Sequence, residues 1–463
     1  MSRFFGRKRE KICNRREKGV MRIQLSDHFT YRKLLRFVAS PVLMMVCISL
    51  YSIVDGFFVS NFVGKTPFAA VNLVMPVCMA FGTVGIMIGA GGSAVVSKTL
   101  GEGKRDLANQ YFSMLVYFPI MLGLALTVAG FMLARPISIA LGASGELLEN
   151  CVVYCRVLLV GLIPFILQNV FQSFFVTAEK PGLSLRMSIA SGAVNIVLDY
   201  LFIAVFHWGI AGAAIATAIG QAVGGCFPLL YFARENDSLL RLTKTKIQKQ
   251  VVLKTFGNGS SEMVTNLSTS VINILYNFQL MKLAGENGIA AYGIIMYVNF
   301  IFMAIYIGYS IGSAPVVGYH YGAGNHRELK GLARKSLALM GGAGLLLTAV
   351  AELLAVPLVA IFANYDAELF GMACHGFRLY AAAFLAMGIN VWGSAFFTAL
   401  GNGIVSAVIS FLRTLLFQVA MVMLLPMLLG IDGIWLAIGA AELLAVAVTA
   451  VFLVVNRKKY HYA

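Results

Sequence analysis

Asn195-Ile-Val-Leu-Asp199-Tyr-Leu-Phe-Ile203 places a carboxamide and a carboxylate one helical turn apart, on one face, inside an apolar run of about 183–206. The run exceeds the roughly 20 residues a helix needs to cross a bilayer. A charged side chain in the middle of such a span costs about 2.5–3.5 kcal/mol even on lenient insertion scales, so it is kept for a partner or a task. A carboxylate stacked on a carboxamide suits a proton or a small hard cation. The competing reading is a buried Asp that only ties helices together. Two further acids inside apolar runs, Asp55 and Glu262, would then need the same explanation.

The rest of the chain is of the same kind. Of 463 residues, 59% are hydrophobic and 12% charged, a balance that excludes a soluble globular protein. Apolar runs of helix length lie at about 34–60, 68–96, 112–134, 152–176, 183–206, 209–232, 252–284, 289–318, 335–362, 374–399, 404–429 and 432–455. They predict an all-α integral membrane protein with twelve transmembrane helices. The 46 glycines fit helices that pack closely in lipid. No cleaved signal peptide is expected, because the first run has full span length. Seven cysteines are scattered; Cys151 and Cys155 share a helix face, which is poor disulfide geometry, and they read as small hydrophobes. The six histidines form no metal-like cluster, and an Asp-rich diphosphate motif is absent. Neither an enzyme nor a cofactor is expected.

The net charge of +16 could suggest nucleic acid, but its distribution argues otherwise. Residues 1–36 hold 12 Lys/Arg, and others fill 98–105, 234–254, 327–335 and 457–459. The alternate loops carry Lys65, Arg135, Arg156, Lys282 and Arg378. This asymmetry is the positive-inside pattern. It predicts a multi-pass protein of the inner (plasma) membrane with both termini cytoplasmic. Met1–Gly19 is basic and polar enough to be disordered, and Met21 is an alternative start.

The chain also repeats at an offset of 221: Ala69-Ala70 with Ala290-Ala291, Gly101-Glu-Gly103 with Gly322-Ala-Gly324, Pro136 with Pro357, and Gly209-Ile-Ala-Gly212 with Gly430-Ile-Asp-Gly433. Locally the offset is 222, as for Phe174-Phe175 and Phe396-Phe397. The organisation expected is a basic, disordered tail (1–30), a six-helix lobe (31–232), a cytoplasmic linker (233–250), a second six-helix lobe (251–455) and a tail (456–463). Six spans per half is an even number, so both halves enter the membrane in the same sense. Their pseudo-twofold axis runs along the membrane normal, with a cleft between two homologous bundles.

The halves differ in their acids. At the repeat offset Asp55 pairs with Tyr276, Asp199 with Ala420 and Glu262 with Pro41. The scaffold therefore survives without each acid. Candidate helpers are Tyr51, one turn before Asp55; Asn169 and Gln172 in the fourth run; and Thr217 in the sixth. Arg413 is the basic residue well inside a run, left to pair with an acid or to snorkel.

With the repeat, Asn195-x-x-Leu198-Asp199, Asp55, Gly101-Glu-Gly103 and Glu262, the chain resembles the multidrug and toxic compound extrusion family over essentially all of 30–455. The resemblance implies a V-shaped antiporter that exports amphiphilic, often cationic compounds by alternating access against H⁺ or Na⁺. It implies a cation site, for a proton or for Na⁺, at Asp55, Asn195, Asp199 and Thr217, and a substrate cavity including Tyr51, Asn169 and Gln172, to which Glu262 is added. Many members follow the fifth-span Asp with Pro, where this chain has Tyr200, so a bend there is in question. No acid lies in 374–399, which argues against a second-lobe ion site of the kind some members have. The expected partners are small organic cations and membrane lipid, with the chain acting as a monomer. A flippase of lipid-linked precursors, from the same superfamily, is the alternative. It would favour a strongly cationic cavity.

Overall fold

The computed structural model describes residues 23–63, 65–363 and 366–462, and its regular elements are all helices. They are α1 Tyr31–Phe62, α2 Lys65–Gly101, α3 Arg105–Ala140, α4 Gly145–Val160, α5 Leu162–Thr177, α6 Pro181–Asp199, α7 Gly209–Ala233, α8 Lys249–Gly322, α9 His326–Ala363, α10 Ala367–Ala381, α11 Phe384–Ala399, α12 Gly403–Phe411, α13 Phe417–Leu429 and α14 Ile431–Tyr460. Short π-helical turns continue α6 (Tyr200–Val205) and join α12 to α13 (Leu412–Leu416). Among the described residues nine helical stretches are long and apolar enough to cross a membrane. The count is eleven when the bent pairs α4–α5 (54°) and α10–α11 (50°) are each taken as one span. Straight, the 74 residues of α8 would run about 110 Å. Its backbone instead breaks at Gly285, φ 61° and ψ −149°, a conformation open essentially to glycine. The twelve-span reading counts the two arms separately.

The internal repeat is visible in the backbone. The bent pairs begin 222 residues apart (Gly145 and Ala367) and end 222 apart (Thr177 and Ala399). Gly209 and Gly430, 221 apart, both have positive φ. Two buried cores follow. One is built on Phe112, Phe171, Phe174, Phe175 and Phe232, the other on Tyr306, Tyr380, Phe384, Trp392 and Trp435. Leu353, Ile404, Met427 and Leu428 are about 80% exposed, which is tolerable in lipid and not in water.

Lipid offers no hydrophobic drive to join helices, so close approach through small residues has to do it. A Cβ on Gly101 would lie 2.0 Å from the Tyr319 carbonyl oxygen, and one on Gly322 2.0 Å from that of Lys98. These two contacts are the same contact at the repeat offset. Further along, Gly91 abuts Thr255 and Gly259, and Gly308 abuts Val42. The lobes therefore seal at the end that carries the basic loops. Gly101→Val and Gly322→Val should hold the lobes apart there. Spin-label distances between the 103 and 324 turns should lengthen, and unchanged distances would contradict this seal.

Residues 1–22, including the alternative start Met21, lie outside the described residues. Residues 23–30 were expected to be disordered and are packed instead. Leu25 and Phe29 are fully buried. Leu25 N–H donates to Glu179 Oε1 (2.7 Å) and Phe29 N–H to Glu328 Oε1 (2.9 Å), while the Lys335 ammonium donates to the Phe29 carbonyl. The polar composition hid this because most of the hydrogen bonds are made by backbone groups, joined by His28 Nδ1 to Glu328 Oε2 at 2.6 Å. The expected C-terminal tail is also ordered: α14 runs to Tyr460, and the Tyr462 hydroxyl donates to the Leu453 carbonyl at 2.7 Å. The linker lies along α3, where Arg241 N–H donates to Asn109 Oδ1 (3.0 Å) and Thr243 N–H to Ser113 Oγ (2.8 Å).

Candidate functional site

Asp199 ends the regular part of α6, and the following turns widen into the π-helical stretch Tyr200–Val205. Such widened turns recur at functional sites because they re-aim the side chains beside them. The irregularity expected of a proline is thus present with Tyr200 in its place. Asp199 is completely buried and Asn195, one turn earlier, 5% exposed. α6 and α7 touch closely here: Ser191 Oγ donates to the Gly220 carbonyl at 2.6 Å, and a Cβ on Gly220 would meet Asn195 Cβ at 3.0 Å.

Asp55, on α1, brings its carboxyl within hydrogen-bonding reach of Asp199. Asp199 Oδ1, Asp199 Oδ2, Asp55 Oδ1 and Asn195 Nδ2 have no partner among the described residues. Two ionised carboxylates cannot donate to each other, and buried polar atoms are rarely left unpaired. A single shared proton would supply the missing donor, as in carboxylate dyads. Tyr51 lies beside Asp55 and lays its ring against Gly192 of α6. Tyr154, buried on α4, is close enough to both acids to feel their charge. It was not singled out in the sequence, where its immediate neighbours are Val153 and Cys155. Thr217 turns its hydroxyl to its own helix, donating to the Ala213 carbonyl at 3.1 Å.

Among the cavities of the described residues, the four residues expected to line one substrate cavity are not found together. Asn169 donates to the Phe165 carbonyl of its own helix (3.0 Å), and its Cβ packs against Gly85 of α2. Gln172 lines a separate crevice with Gln168, Ser184 and Ser188 that holds about 10 Å³, room for one water. Glu262 belongs to the other lobe. It sits over three turns inside α8. It lines a cavity of about 280 Å³ with Asn266, Tyr292, Phe300, Tyr380 and Arg413.

That second-lobe cavity has a charged wall. Arg413 Nε donates to Glu442 Oε1 (2.8 Å) and Oε2 (3.0 Å). Asn390 Nδ2 donates to Glu442 Oε2 (2.7 Å), and the Thr449 hydroxyl to Asn390 Oδ1 (2.9 Å). Glu442 is fully buried and Arg413 6% exposed. Glu442 is a mid-run acid, legible in Ala440-Ala441-Glu442-Leu443 and overlooked; Asn390 stands 222 residues from Gln168. Beside Glu262 on α8, the second lobe thus carries a buried acid on α14, Glu442, and it is already paired with Arg413.

If Asp55 and Asp199 form one titrating unit, Asp55→Asn should shift the pH dependence of substrate binding along the pH axis rather than only lower its amplitude. A profile unmoved along that axis would separate the two helices functionally.

The MatE family model matches residues 41–201 and 262–424, one stretch in each half, their starts 221 residues apart. The chain is 24% identical to the multidrug export protein MepA of Staphylococcus saprophyticus over 403 residues, covering 86% of this chain and 87% of that one. It is 27% identical to MepA of Staphylococcus haemolyticus over 273 residues, 59% of this chain and 60% of that one. Its fold superposes on a multidrug resistance MATE family transporter of the MOP superfamily solved in an outward-facing conformation, with TM-score 0.90, 23% identity, and coverage of 96% and 100% of the two chains. A MATE crystal structure in complex with MaL6 gives TM-score 0.90 at 22% identity, with the same coverage. With the duplicated fold, the buried acid pair and a family match across both halves, the chain belongs to the MatE family of membrane transporters.

Proposed function

We propose that the protein is a secondary antiporter that exports amphiphilic organic cations in exchange for protons by alternating access. The observation that carries this reading is Asp199, fully buried and facing Asp55, with neither of its oxygens bonded to a donor. The pair takes up a proton when the site opens outward. Cargo sits in the second-lobe cavity at Glu262, among Tyr292, Phe300, Tyr380 and deformable Met side chains.

α1 links the two places. Its first turns, Leu34 to Val38, are built into the second lobe's core, while Asp55 near its other end belongs to the first-lobe site. Between them Ser49 Oγ lies 3.1 Å from the Met45 carbonyl of its own helix and 3.4 Å from that of Phe300, a wall residue of the cavity. A proton that changes how Asp55 is held therefore bears on the cavity through the helix that carries both contacts. By linkage the coupling is reciprocal, and bound cargo must weaken proton binding.

Na⁺ is the second reading. Asp55, Asp199, Asn195 Oδ1 and Thr217 Oγ1 supply hard oxygens, and Na⁺ would satisfy the same undonated atoms. Efflux of ethidium from proteoliposomes under a pH gradient alone, and under a Na⁺ gradient alone, separates the two. Protons should suffice; drive by Na⁺ alone would transfer the coupling role.

The charges in the cavity favour cationic cargo over the flippase reading. Its basic residue, Arg413, is already held by Glu442, and the additional acid Glu262 leaves the lining with more acidic than basic groups. A cation gains there what an anion loses to repulsion and desolvation. Tetraphenylphosphonium should therefore outcompete anionic analogues of similar size, and Glu262→Gln should weaken cation transport less than Asp199→Asn does. Preference for a polyprenyl pyrophosphate would favour the flippase.

A further inference from the structure

A second cavity, of about 230 Å³, opens at the sealed end of the molecule, between α2, the start of α3 and the start of α8. Lys98, Lys104 and Lys254 line it, with Glu102, Thr99 and Tyr111. Glu102 is committed to Lys104 at 2.9 Å. Lys98 and Lys254 have no carboxylate partner among the described residues. They lie within each other's field, Lys98 also within that of Glu102, and Lys98 rests over the Tyr321 ring at 4.9 Å. Lys98 and Lys104 belong to the first lobe and Lys254 opens the first helix of the second. Sealing the lobes, through the Gly322–Lys98 and Gly91–Thr255 contacts, is what brings these cations to one cavity. The sealed state thus carries a like-charge cost that a bound anion would offset.

We propose that this cavity binds a phosphate-bearing anion, an acidic phospholipid headgroup or a free phosphoester, and that the bound anion holds the lobes sealed at this end. The donor chemistry fits. Lysines present strong point charges to phosphate oxygens without the directional fork of arginine. The volume admits one phosphate group with a few waters at about 30 Å³ each. Basic pockets between spans at the cytoplasmic surface lie at the depth of anionic headgroups. Since binding needs both lobes, the anion binds the sealed state better, and that difference sets the population shift. The proposal does not depend on what is transported or on the coupling ion.

The test uses the full chain spin-labelled at exposed positions 106 and 327, one on each lobe, in nanodiscs. Adding phosphatidylglycerol to phosphatidylcholine nanodiscs should raise the short-distance, sealed population by about twofold or more. The double variant Lys98→Gln/Lys254→Gln should not respond. It should melt in phosphatidylcholine no lower than wild type, since a repulsion has been removed. Inorganic phosphate added to phosphatidylcholine nanodiscs separates the sources: a shift with phosphate identifies a free phosphoester site, and a shift with phosphatidylglycerol alone identifies a lipid site. No response to either anion, or an equal response in the double variant, overturns the proposal.

Discussion

Replacing Asp199 by Asn is expected to reduce gradient-driven efflux to the leak of empty vesicles while the protein still folds and inserts. The carboxamide keeps the shape of the side chain and lacks an acid that titrates. Asp199 is fully buried, so the loss has no nearby substitute; Asp55 alone cannot share a proton with an amide in the same way. The second copy of the repeat carries Ala420 at this position, so the scaffold does not require the acid. Efflux in proteoliposomes, with yield and elution profile as folding controls, measures both. Wild-type pumping by Asp199→Asn would make this residue a structural acid.

The largest effect on stability is expected at Arg413. Arg413→Met leaves Glu442 buried, charged and with Asn390 as its remaining side-chain donor. Breaking a buried pair from one side costs about 3–5 kcal/mol, whereas removing both charges is often neutral. Arg413→Met should therefore melt far below wild type or fail to accumulate. Arg413→Met/Glu442→Gln should recover most of the loss, because Gln can still accept from Asn390. A single variant as stable as wild type would mean that Glu442 is protonated or solvated when alone.

The class of fold was legible because lipid imposes it: runs longer than a bilayer, basic residues in alternate loops, glycines where helices touch. The repeat was legible because Gly209 and Gly430 hold backbone conformations that other residues rarely adopt. The acid pair was half legible. Asn195 and Asp199 share a face by helical spacing, but the meeting of Asp199 with Asp55, on a helix 144 residues away, depends on how α1 crosses α6. Tyr154 and Glu442 show the limit. Tyr154 reaches the acids from α4 with no local polar signal. Glu442 was visible as an acid, but its task is set by Arg413, 29 residues away and in contact only after folding. That Glu262 lines a second-lobe cavity beside Arg413 was not legible, because period and composition place a residue on a helix face and not among its neighbours.

The central claim is that cargo and proton exclude one another, and linkage gives it a direct measurement. Purified protein in weakly buffered detergent solution near neutral pH is mixed with tetraphenylphosphonium while a pH dye reports released protons. The account predicts proton release that saturates with cation binding, and affinity that falls as pH is lowered. It also predicts that release is lost in Asp199→Asn. Binding without proton release, or the same release from Asp199→Asn, would contradict it.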